Sequence, residues 1–184
     1  MKTKTHFLSL VAVAACVLFF NTGIMKAQTP TTVQVKALAQ GMWTGSVHKT
    51  TPAAVELRSG GVTPLTSTLV DRRTAMISSS GTLTVVYPNL TTGSYWLIVR
   101  CAGFLPISSS TALSITAGST FSYDFSDNAS KAFDEGTIGV TIGATTYYVL
   151  KAGDFTGDGG TNPTDVNAML QGYPKVNLSV PPAN

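Results

Sequence analysis

The chain has 184 residues, 43% of them apolar and 11% charged, with two cysteines and a formal charge of +3. That length suits about one domain with a substantial core, and two cysteines exclude a disulfide-stapled miniature scaffold. The charge surplus lies in the first 27 residues, at Lys2, Lys4 and Lys26; the remainder carries nine basic and nine acidic side chains, which removes the electrostatic basis for binding nucleic acid or an acidic membrane surface.

Residues 1–27 read as a secretory signal peptide. A basic start is followed by an apolar run from Phe7 to Phe20, 14 residues, short of what a membrane-spanning helix needs. Polar Asn21 and Thr22 follow, and Ala27 before Gln28 is the expected cleavage point. Val13-Ala14-Ala15-Cys16 also matches a lipoprotein cleavage box, but Val17 to Phe20 continue the apolar run past it, where a lipidated end is normally polar. The processed chain is expected to be exported, extracellular or at the cell surface with the periplasm as an alternative, and to have no integral membrane span. Only Cys101 remains in it, so no internal disulfide can form.

After a Thr/Pro-rich lead, residues 33–38 alternate apolar and polar side chains as a half-buried strand does. Residues 41–51 form a polar loop holding Met42, Trp43 and His48. A second strand is expected at 54–58, and a weaker one at 62–70, interrupted by Pro64. The charged Asp71-Arg72-Arg73 cluster reads as a turn leading into 74–77. Further strands are expected at 83–87 and 95–101. In the latter Tyr95, Leu97, Val99 and Cys101 share one face, with Trp96, Ile98 and Arg100 on the other, as in a strand near the centre of a sheet. Strands at 112–115, 121–125, 139–142 and 147–151 complete eight or nine. Many short strands between Gly, Pro, Ser and Asn turns imply an all-β fold, an antiparallel β-sandwich over residues 28–150.

Residues 151–173 read differently. Asp154 to Asp165, DFTGDGGTNPTD, places oxygen-bearing side chains at positions 1, 3, 5, 9 and 12 of a twelve-residue loop, with Gly159 at the sharp sixth position. This is the spacing with which an EF-hand-like loop wraps one Ca2+ ion. Asp154, Thr156, Asp158 and Asp165 would give side-chain oxygens and Gly160 a backbone carbonyl, while Asn162 would act directly or through water. Three carboxylates so close together repel one another without a cation, and such a loop falls in the weak extracellular class, with Kd on the order of 0.1–1 mM. The only helix expected, 163–171, starts inside the loop, with Asn162 as cap, Pro163 in the first turn and Val166, Met169 and Leu170 as an apolar stripe expected to dock on the sandwich. The Pro-rich tail, 174–184, is expected to be loosely held.

Two stretches resemble known families. Gly93-Ser94-Tyr95-Trp96-Leu97-Ile98-Val99-Arg100 followed by Gly103-Phe104-Leu105-Pro106, with Gly118 beyond, resembles the pattern of carboxypeptidase-regulatory-like, transthyretin-like β-sandwich modules. That likeness covers about residues 55–125 and implies a seven-stranded, non-catalytic sandwich. Ala152 to Gly172 resembles one repeat of a dockerin, the calcium-loop-and-helix module that binds cohesins, with Thr156, Thr161 and Pro163-Thr164 departing from the usual residues; only one repeat is present. The combination is similar to secreted multi-module proteins of the Bacteroidota, which implies a structural or adhesive role at a cell surface, in a matrix or in a filament. The alternative is an interaction module for carbohydrate or cohesin-like partners.

Other chemistry-bearing residues are sparse. His48 has no second histidine or cysteine cluster with which to hold a metal. Cys101 ends an apolar strand and is expected to be an inert buried thiol. The serines lack a nucleophile elbow. Asp124, Asp127, Asp134 and Glu135 are either solvated loop acids or a glycosidase pair or second calcium site. Trp43 is the aromatic residue best placed to stack on a sugar. Trp96 is either core or a platform. No enzyme is expected. Thr/Ser/Val strands with few charges leave weakly protected sheet edges, open to self-association.

Overall fold

Strict alternation builds one wall of the sandwich. In β1 (Thr31–Lys36) residues Thr31, Val33 and Val35 point inward, and in β5 (Thr82–Tyr87) Leu83, Val85 and Tyr87 do. The computed structural model describes residues 28–172; the expected signal peptide and tail lie outside the described residues. Strands β5, β1 and β9 (Thr120–Asp124) form one sheet in that order, β1 antiparallel to β5 and parallel to β9.

The opposite wall is a five-stranded sheet ordered β4 (Thr68–Ile77), β3 (Thr51–Ser59), β6 (Gly93–Cys101), β7 (Ile107–Ser108), with β8 (Leu113–Ile115) also paired to β6. The inner faces interdigitate through Val33, Val35, Leu83 and Val85 on one side and Val55, Leu57, Leu97 and Val99 on the other. Tyr87 spans the two sheets, its hydroxyl donating to the Val55 carbonyl at 2.9 Å. Truncating a fully buried member such as Leu97 to Ala would cost about 2–5 kcal/mol. A third sheet, β10 (Thr137–Ile142), β11 (Thr145–Leu150) and β2 (Leu38–Ala39), closes one end, with β2 parallel to β11.

The fold is thus an all-β sandwich with one short helix, α1 (Pro163–Gly172), among the described residues. The described residues form eleven strands, more than the eight or nine expected, because β2 and β7 are two-residue pairings made only by tertiary contact. No helix among the described residues is long and apolar enough to cross a membrane.

One expectation is overturned. Asp71-Arg72-Arg73 is not a turn but the middle of the ten-residue edge strand β4. Its charges are paired within and across the ladder. Arg73 donates to Asp71 at 2.7 Å, Arg72 lies directly opposite Glu56, and a register shift between Leu57 and Arg58 leaves Val70 as the bulged residue. Pro64 stands in a short 3-10 turn (Pro64–Thr66) before the strand begins.

β3 and β6 are buried on both faces. Beyond the sandwich core, the outer face holds Ala54 and Glu56 of β3 beside Trp96 and Ile98 of β6. Trp96 is therefore packed, edge-to-face with Phe133 at 6.2 Å. Cys101 is buried, and burial raises its thiol pKa, as befits an inert core group.

Candidate metal centre

Chain segment 151–153 leaves β11 and pairs with the segment after β6. Leu105 N–H donates to the Lys151 carbonyl at 2.8 Å, Gly153 N–H to Gly103 at 3.0 Å, and Ala152 bridges Phe104. Ala152 N–H also donates to the Gln40 side chain at 3.0 Å. The loop that follows is thereby anchored by backbone hydrogen bonds on the outer side of the five-stranded sheet.

Within the loop, Asp154, Asp158 and Asp165 each offer a carboxylate oxygen, and these oxygens lie within 4.8 Å of one another. Asp154 and Asp165 are 2% and 1% exposed. The backbone holds them in place. Asp154 accepts from Gly157 N–H at 2.7 Å and Gly159 N–H at 3.1 Å. Asp165 accepts from Thr156 N–H at 2.9 Å, the Thr156 hydroxyl at 2.8 Å and Asn162 N–H at 2.8 Å. Gly160 N–H donates to Asp158 at 2.8 Å. Gly159, the sixth loop residue, has φ +88°, a left-handed turn that glycine adopts without strain. The Thr156 N–H, then that of Asn162, holds the Asp165 carboxyl below its usual pKa, so it is an anion at neutral pH.

The donor set fits a hard divalent cation. Each carboxylate has about four acceptor positions, so these hydrogen bonds do not exhaust their capacity to accept. Among the described residues no lysine or arginine forms an ion pair with any of the three. Thr156 stands beside Asp165 and Gly160 beside Asp158. Asn162 is turned elsewhere: its Oδ1 caps α1, accepting from Thr164 N–H at 2.8 Å, while its Nδ2 donates to Asp158 at 3.1 Å. Val166, expected to dock on the sandwich, is 51% exposed instead; the backbone pairing of 151–153 anchors the unit without it. The side chains of Met169 and Leu170 lie outside the described residues.

The remaining candidates disperse. Trp43 pairs with His48 across a small loop and is half-buried, its ring edge-on to Tyr147 at 5.5 Å. Asp124 pairs with Lys36 at 3.5 Å and Asp127 with Lys131 at 2.6 Å, while Asp134 and Glu135 sit in a separate turn. Two polar groups are buried in ways the sequence does not announce. His48 is 1% exposed, with Nε2 accepting from Ala39 N–H at 3.1 Å and Nδ1 unpartnered among the described residues; burial lowers its pKa. Glu56, 4% exposed, accepts from Arg100 at 2.8 Å, with Arg58 and Arg72 each at 3.7 Å. Alternation along residues 54–58 places Glu56 opposite Val55 and Leu57, the only sequence signal that could have singled it out.

No protein-family model matches the chain, and no curated protein matches it. Among solved structures, the chain is similar to one in a type II cohesin–X-dockerin complex from Acetivibrio cellulolyticus, an N-terminal interface mutant, at 17% identity and a TM-score of 0.37, over 78% of this chain and 72% of that one. A superposition that loose carries no argument about function.

Proposed function

We propose that the chain is an exported, non-catalytic β-sandwich module whose dockerin-like loop holds one structural calcium ion. The observation that carries this reading is the convergence of three carboxylates, two of them buried, with no cationic side chain paired to them among the described residues. Calcium would be bound by Asp154, Asp158 and Asp165, with Thr156 and the Gly160 carbonyl completing the shell, while Asn162 caps the helix instead of reaching the ion. When bound, it supplies charge neutralisation and fixes the loop. The chain's own part is to hold Asp154 and Asp165 in place by backbone N–H groups and to pin the unit to residues 103–105. The module then serves as a building block or adhesive element outside the cell, with any contact to other copies running through its sheet edges.

The test is an NMR titration of the chain from Gln28 with calcium. One site is expected, with Kd on the order of 0.1–1 mM and shifts centred on Gly157, Gly159 and Gly160. Asp154→Asn and Asp165→Asn should each raise Kd at least about tenfold, a loss of ligand charge. Absence of shifts in the loop, or indifference to both substitutions, would contradict the assignment.

A further inference from the structure

A cavity of about 580 Å³ opens on the outer face of the five-stranded sheet, between the Pro64–Leu65 turn, the Phe133–Glu135 turn and the metal loop. Its apolar lining includes Ile98, Leu105 and Phe133, and Phe133 is held edge-to-face by buried Trp96. Arg58, Arg100 and Lys151 reach it, balanced by Asp134, Glu135 and Asp158. Arg100 gives only its Nε to Glu56; its terminal nitrogens and Lys151 Nζ have no hydrogen-bond partner among the described residues, nor have the carboxylates of Asp134 and Glu135. Asp134 and Glu135 both have φ +50°, the only non-glycine residues at positive φ among those described. Two consecutive residues in this conformation are costly, and such strain gathers at binding sites.

We propose that this cavity binds the end of a neutral oligosaccharide, one or two pyranose rings deep. Its volume lies in the range of small-molecule sites. Its three positive and three negative side chains cancel, so neither an anion nor a cation gains a net field. A sugar ring presents adjacent hydroxyls that donate to carboxylates and accept from guanidinium or ammonium groups, which suits the free donors and acceptors here. Its apolar C–H face suits the Phe133 and Ile98 surface. A hydrocarbon ligand would desolvate the same charges without compensation.

One wall of the cavity, Asp158 and Gly159, belongs to the metal loop. Resting on the calcium reading above, sugar and ion are then linked, and each strengthens the other's binding by the same factor.

The experiment is NMR of the chain from Gln28 with cellobiose, mannobiose and xylobiose as neutral probes and digalacturonate as an anionic one, each at about 10 mM, suited to millimolar affinity. At least one neutral disaccharide should shift the amides of Phe133, Asp134 and Lys151, and bind at least twofold more weakly in chelator. The double variant Asp134→Gly/Glu135→Gly removes both carboxylates and relieves the strained turn. It should lose binding at least tenfold with a melting temperature equal to or above that of wild type. No shift with any neutral disaccharide, a response to digalacturonate alone, or full binding by the double variant would overturn the proposal; binding indifferent to chelator would overturn its calcium linkage. Melting the same samples with and without calcium separates failure of the sugar site from failure of the metal reading.

Discussion

His48 shows how much a single side chain can depend on tertiary structure. Its ring is buried, accepts from Ala39 N–H through Nε2, and leaves Nδ1 without a partner among the described residues. Protonation would remove the acceptor and place a cation in the interior. Because burial lowers its folded-state pKa below the ordinary 6.5, its contribution is complete above about pH 6.5 and is lost as pH falls through the lowered value. Denaturant melts from pH 7 to pH 5 should show falling stability, at most about 1.4 kcal/mol per pH unit, and His48→Gln should flatten that slope. Asp165 acts in a lower window: its pKa is depressed, so its contribution is present above about pH 4 and is lost as pH falls through the depressed value. The sequence could not reveal His48's burial, because the Ala39 N–H and the Ser79 carbonyl that hold it are brought together only by the folded chain. The convergence of Asp154, Asp158 and Asp165 was legible for the opposite reason: all three lie within twelve consecutive residues, so spacing alone brings them together.

At the level of elements, β4 illustrates what a local reading misses. Asp71-Arg72-Arg73 looks like a solvated turn until Glu56 of β3 is set opposite Arg72 and Arg100 of β6 is placed beside it. Glu56→Gln should cost about 2 kcal/mol, less than the 3–5 of a fully buried pair because the arginines are partly solvated; urea denaturation measures it, and a change near zero would mean the cluster is incidental. The inward sets of β1, β5 and β6 follow directly from alternation. The parallel pairing of β1 with β9, and that of β2 with β11, depend on long-range closure and leave no local signature. β4 carries charges along its edge, whereas the edge strand β10, TIGVTI, has none and exposes Ile138 by 40%. If copies associate through a sheet edge, β10 and the equally uncharged edge strand β5, which exposes Val86, are less protected than β4. Ile138→Lys should then lower the associated fraction in sedimentation velocity, while the same substitution at Leu69 of β4 should change it less.

For the whole molecule, the metal loop and the sandwich form one connected unit. Residues 151–153 are hydrogen-bonded to 103–105, and the loop forms a wall of the cavity over the outer sheet face. On the proposed reading, calcium binding to the folded loop alone would stabilise the folded chain by mass action, about 1.4–2.7 kcal/mol at 10 mM calcium for a Kd between 0.1 and 1 mM. The most direct measurement is a thermal melt of the chain from Gln28 in 10 mM calcium and in excess chelator. The expected result is a melting temperature about 3–10 °C higher with calcium, an increase that Asp154→Asn abolishes; identical melting curves in the two conditions would contradict the structural-calcium account.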